Sequence, residues 1–112
     1  MTNYSNGVTF ERTIMRTLAD DGYWVTRSAG SHSCVDVVAI KAGQLLLIQA
    51  KRDGKISPAE RASLLNLAAL IDCAVPVLAY KEPGHAAVIL AELTGPGPKD
   101  RRPFHTDEVT AA

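Results

Sequence analysis

The sequence predicts a mixed α/β domain, with helices flanking a mixed sheet of about five strands in the order α, β, β, β, α, β, β. Three observations carry that expectation. Apolar residues recur at three- and four-residue steps from Gly7 to Asp21, which is the period of a helix with one buried face. The stretch from Cys34 to Lys51 reads as two apolar strands around a short turn, and "SPAER" from Ser57 opens a second helix.

In the first element Val8, Phe10, Ile14, Met15, Leu18 and Ala19 form the apolar stripe, and Gly22 follows as a stop. Tyr23 to Ser28, "YWVTRS", is rich in β-branched and aromatic residues and runs into the turn formers "AGSHS", so it reads as a strand. "CVDVVAIK", the turn "AG" and "QLLLIQAK" then give a hairpin whose strands are apolar on both faces, as expected when helices cover both sides of a sheet.

In the second helix Ser57 is the N-cap, Pro58 takes the first helical position, and Glu60 completes a capping box. That helix is expected to reach about Asp72. Its apolar residues Leu64, Leu65, Leu67, Ala68, Leu70 and Ile71 spread over roughly 220° of a helical wheel, wider than one sheet contact needs, so a second buried contact is expected. "VPVLAY" and "HAAVILAEL" follow as strands across the turn "KEPG". From Thr94 the sequence is Gly, Pro and charge without periodicity, so 1–93 reads as the domain and 94–112 as a flexible C-terminal tail.

A chain of 112 residues fits one domain with one real core. Twelve Lys and Arg balance twelve Asp and Glu, so net charge names no partner. Residues 7–61 hold eight basic side chains against six acids, and a metal held by some of those acids would turn that surface positive. Cys34 and Cys73 lie far apart with no CxxC spacing, which suggests neither a disulfide framework nor a zinc site and fits a reducing cytoplasm. The polar N-terminus has no signal-like apolar region, and no apolar run approaches the roughly 20 residues that cross a bilayer. His32, His85 and His105 form no spaced metal set.

The chemistry lies in the polar residues that interrupt the hairpin. Asp36 stands between Val35 and Val37, where an unpaired carboxylate would cost several kcal/mol to desolvate, so something must neutralise it. Gln49 and Lys51, two apart, project from one face of the neighbouring strand, and a turn near Ala42 and Gly43 brings Asp36 roughly opposite Gln49. A hard cation such as Mg²⁺, with Mn²⁺ as a substitute, takes oxygen ligands of this kind: the Asp36 carboxylate, the Gln49 amide and the Ala50 carbonyl. Lys51 could orient an attacking water and stabilise charge on a phosphodiester under hydrolysis. Glu11 is a further ligand candidate through the metal's water shell, and Arg12, Arg27, Arg52 and Lys55 are candidates for holding phosphates.

"FER" on the first helix, "GYWVTRSAGS", "VDVVAI" and "IQAK", in this order and spacing, resemble the archaeal-type Holliday junction resolvases of the PD-(D/E)xK nuclease superfamily, over about residues 7–80. The resemblance implies a restriction-endonuclease-like fold and a metal-dependent endonuclease making paired nicks in four-way DNA junctions as a homodimer. It implies that Asp36 and Gln49 take the metal positions, Lys51 the catalytic lysine and Glu11 the helix acid. Arg12 and Arg27 would match arginines that serve DNA binding or cleavage, and Ser31 a serine of the active-site loop.

One position departs from the family's pattern. Its usual acid two residues before the lysine is Gln49 here, which keeps an oxygen ligand but removes a negative charge. "QAKR" also resembles Mrr-type restriction nucleases of the same superfamily, which use glutamine there. Two alternatives therefore stand beside junction resolution: an Mrr-like or repair nuclease with another DNA target, and a DNA-binding module without turnover.

Overall fold

The computed structural model describes residues 3–28 and 34–106, with side chains from Val8 onward. Helix α1 (Asn3–Asp20) leads into strands β1 (Trp24–Arg27), β2 (Val37–Lys41) and β3 (Gln44–Ala50); helix α2 (Pro58–Ala68) follows, then β4 (Ala74–Tyr80), β5 (Ile89–Leu93) and β6 (Arg101–Pro103). The strands form one mixed sheet of six in the order β1-β2-β3-β4-β5-β6. The central pair β3 and β4 is parallel and every other pair antiparallel, so α2 is the crossover between the parallel strands.

Side-chain alternation sends two sets of residues to two layers. Val37, Ala39, Leu46, Ile48, Val77 and Ala79 meet Phe10, Ile14 and Leu18 of α1 on one face. Val35, Leu47, Leu78 and Leu93 meet Leu64 and Ala68 of α2 on the other. Each fully buried Leu or Ile contributes about 1.5–3 kcal/mol relative to an exposed one, so β3, with its middle buried from both sides, anchors the domain.

Local signals set the element ends. Gly22, at φ 92°, takes the left-handed conformation that closes α1, with Gly22 N donating to Ala19 O and Tyr23 N to Leu18 O at 3.0 Å each. Gly43, at φ 75°, closes the two-residue turn that pairs Lys41 with Gln44. The capping box of α2 is present, with Ser57 Oγ accepting from Glu60 N and Ser57 N donating to Glu60 Oε1.

Two features differ from expectation. Helix α2 stops at Ala68 rather than near Asp72, because Leu70 N and Ile71 N bond back three residues to Leu67 O and Ala68 O and tighten the chain into turns. A sixth strand lies within the stretch whose composition read as a tail. It pairs Leu93, Glu92 and Ala91 with Arg101, Arg102 and Pro103, and the loop before it wraps the guanidinium of Arg61, which is only 2% exposed. Arg61 Nη1 donates to Gly95 O at 3.1 Å and Asp100 O at 3.0 Å, and Nη2 to Pro98 O at 3.4 Å.

Candidate active site

The hairpin register creates the site. Val37 pairs with Ile48, so Asp36, one residue before β2, falls opposite Gln49. Asp36 N donates to Ile48 O at 2.7 Å and Asp36 O accepts from Ser28 N at 2.9 Å, which extends the ladder past the strand's formal start. The Asp36 carboxylate turns to the β3 edge, where its Oδ2 accepts from Ala50 N at 2.8 Å and from Gln49 Nε2 at 3.0 Å. Lys51 continues the line of β3, its N–H bound to Ala79 O of β4 at 2.9 Å.

Both helices bring acids to this corner. From α1, Glu11 Oε1 accepts from Arg27 Nε of β1 at 3.0 Å. From the first turn of α2, Glu60 Oε2 lies 2.7 Å from Lys51 Nζ. Glu60 thus divides its carboxylate between capping the helix and pairing with the lysine.

Burial dominates the electrostatics. It raises the pKa of Asp36, aided by the nearby Glu60 charge, while the Ala50 N–H, Lys51 and Arg27 pull the other way. Burial likewise raises Glu11, and Asp36 adds to that rise against the lowering pull of Arg27. Glu60 is lowered, chiefly by its bond to Lys51. Two carboxylates that resist ionising, Glu11 under the charge of Asp36 and Asp36 under that of Glu60, form a site that a cation would relieve.

The residues present fit a hard divalent cation. Gln49 is 6% exposed, and its Oε1 is buried without a hydrogen-bond partner among the described residues. A buried amide oxygen left in that state costs about 1–3 kcal/mol unless something electropositive meets it. The donors at hand are carboxylate, amide and main-chain oxygens, the set suited to Mg²⁺ rather than to a softer metal. Among the described residues no three His, Cys, Asp or Glu side chains could hold a metal by themselves, so the Gln49 oxygen and main-chain carbonyls such as that of Ala50 would have to take part.

The structure therefore brings Glu11, Arg27, Asp36, Gln49 and Lys51 into one corner. Arg12 is exposed on α1, outside that hydrogen-bonded cluster. Arg52 is exposed beside Lys51, and both line an open pocket of about 1000 Å³ together with Ala50, Asp53, Lys81 and His85. Lys55 is exposed in the loop before α2, its N–H bound to Asp53 Oδ1 at 3.0 Å. Ser31 lies outside the described residues. Sequence reasoning missed Glu60 as a member of the site: its capping role explained it locally, and only the parallel crossover places the start of α2 beside the end of β3.

A family model described as the archaeal Holliday junction resolvase (Hjc) matches residues 2–95. The crossover junction endodeoxyribonuclease Hjc of Methanocaldococcus jannaschii is 40% identical over 52 residues, a stretch covering 46% of this chain and 38% of that relative's length. The solved structure of Hjc from Archaeoglobus fulgidus, a Holliday junction resolvase from an archaeal hyperthermophile, is similar with a TM-score of 0.65 at 29% identity, covering 76% of this chain and 70% of that one. With the family model spanning most of its length, the chain belongs to the archaeal Holliday junction resolvase (Hjc) family.

Proposed function

We propose that this protein is a Mg²⁺-dependent endodeoxyribonuclease that resolves four-way DNA junctions by paired nicks, acting as a homodimer in the cytoplasm. The observation that carries the reading is the convergence of the Asp36 carboxylate, the unpartnered Gln49 oxygen and the Lys51 ammonium at the edge of β3, in a chain of the resolvase family.

Asp36, Gln49 and the Ala50 carbonyl would hold the cation, with Glu11 reaching it through water. When bound, the cation supplies charge neutralisation at the scissile phosphate and a more acidic water. Lys51 orients the attacking water and donates hydrogen bonds to the phosphoryl oxygens as negative charge builds on them. Arg27, fixed by Glu11, offers a guanidinium to a neighbouring phosphate, and Arg12, Arg52 and Lys55 extend the phosphate contacts outward. Ser31, between β1 and β2 in sequence, is assigned here to substrate contact on the family resemblance alone.

A homodimer is supported by apolar surface on the side of the sheet that carries α2. Trp24 and Ile40, cross-strand partners on β1 and β2, are 62% and 44% exposed, and Leu70 and Ile71 just past α2 are exposed as well. A second copy covering such a patch would place two sites on opposite strands of one junction. The free thiols Cys34 and Cys73 fit a reducing compartment, and no helix among the described residues is long and apolar enough to cross a membrane.

The test is nick mapping with Mg²⁺ on an immobile four-way junction in competition with unlabelled linear duplex. Junction resolution predicts symmetric cuts in two opposed strands that survive excess duplex. Cuts abolished by the duplex would point instead to the Mrr-like or repair nuclease that the "QAKR" segment resembles.

A further inference from the structure

Gln49 stands where the family pattern that the sequence resembles has a second carboxylate, and an amide supplies no such charge. Lys51 nevertheless sits 2.7 Å from a carboxylate, and that carboxylate comes from another element. Ser57 N donates to Glu60 Oε1 at 3.1 Å, which leaves Oε2 free to meet the lysine. The capping box therefore fixes the side chain of Glu60 in the orientation that points it at the end of β3.

We propose that Glu60 is the electrostatic replacement for the motif acid absent at position 49: it balances and positions Lys51, so that the oxygen cradle of Asp36 and Gln49 can accept a divalent cation. The proposal rests on the metal-dependent reading of the site given above.

Charge counting shows the need. Among the described residues Glu11, Asp36 and Glu60 are the acids of the corner, and Arg27 and Lys51 its bases. With Glu60 the corner is net negative; without it the corner is neutral, and a dication gains little by entering. The buried, unpartnered Gln49 Oε1 independently marks where a cation is wanted, because a neutral amide oxygen that finds no donor is satisfied by an electropositive ion. Glu60 acts through Lys51 and through its field, so it is a positioning residue and not a ligand.

The test measures Mn²⁺ affinity by electron paramagnetic resonance on DNA-free full-length protein, with circular dichroism as a check on folding. Glu60→Gln is expected to weaken binding about 10- to 100-fold, the usual cost of losing an outer partner of a metal site. Ser57→Ala, which weakens the same helix cap but keeps the charge, is expected to bind as wild type. Gln49→Glu should bind more tightly, and adding it to Glu60→Gln should restore wild-type affinity or better. Unchanged affinity in Glu60→Gln, or equal losses in Glu60→Gln and Ser57→Ala, would overturn the proposal while leaving the metal-dependent reading intact. That reading fails on a different arm: wild type that binds no Mn²⁺, or Asp36→Asn that binds it equally well, overturns both.

Discussion

Asp36 is held where burial works against its own charge. Its carboxylate accepts two hydrogen bonds yet is still pushed toward the protonated form by burial. A folded-state pKa raised above the unfolded one stabilises the fold at pH below the unfolded value, and that stability is lost as pH rises through the folded value. Glu11 is shifted in the same direction. In chelator the protein should therefore lose stability as pH rises from about 4 toward neutrality through this pair. Asp36→Asn should melt higher than wild type at pH 7 by calorimetry, since the amide can still accept from Ala50 N and can donate to a flipped Gln49. Saturating Mg²⁺ should stabilise wild type, by about 2.7 kcal/mol at a hundredfold excess over the dissociation constant, and leave Asp36→Asn unmoved. A variant that melts lower in chelator, or gains equally from Mg²⁺, would contradict this account of the site. The meeting of Asp36 and Gln49 near Lys51 was legible because strand periodicity fixes which side chains share a face. The second role of Glu60 was not, since its distance from Lys51 depends on how α2 docks.

At the scale of elements, the segments with strong local signals were readable: the stripe of α1 with its Gly22 stop, the Ala42 and Gly43 turn, and the capping box of α2. Strand β6 was not, because three residues, Arg101–Pro103, carry no usable periodicity and form a strand only by pairing with β5. Its partner signal was equally hidden. Arg61 looks like the exposed side of a helix until the loop at 95–100 supplies three carbonyls to its guanidinium. Arg61→Ala should cost about 1–3 kcal/mol in urea unfolding, because it strips the donor from those carbonyls, and hydrogen exchange should show β6 losing protection before β3 and β4 do. Protection lost uniformly across the sheet would show that the loop and the core open as one unit.

For the whole molecule, fold and family were legible from the order of elements and a few motifs, while the uncovered apolar surface became visible only with the sheet assembled. Trp24 stands exposed beside Ile40, and of the wide apolar arc expected of the second helix, Leu70 and Ile71 lie past its end and are exposed. If a second copy covers that side, Ile40→Asp should give a monomer by light scattering that retains its fold and makes unpaired nicks; a variant that stays dimeric would move the interface elsewhere. In the proposed function Asp36 and Gln49 would hold a divalent cation beside Lys51, and DNA cleavage would depend on it. Single-turnover cleavage of a labelled four-way junction tests it most directly, comparing wild type with Asp36→Asn, each in Mg²⁺ and in excess chelator. The account predicts cleavage by wild type in Mg²⁺ alone, with Asp36→Asn still binding the junction; cleavage by Asp36→Asn at the wild-type rate, or by wild type in chelator, would contradict it.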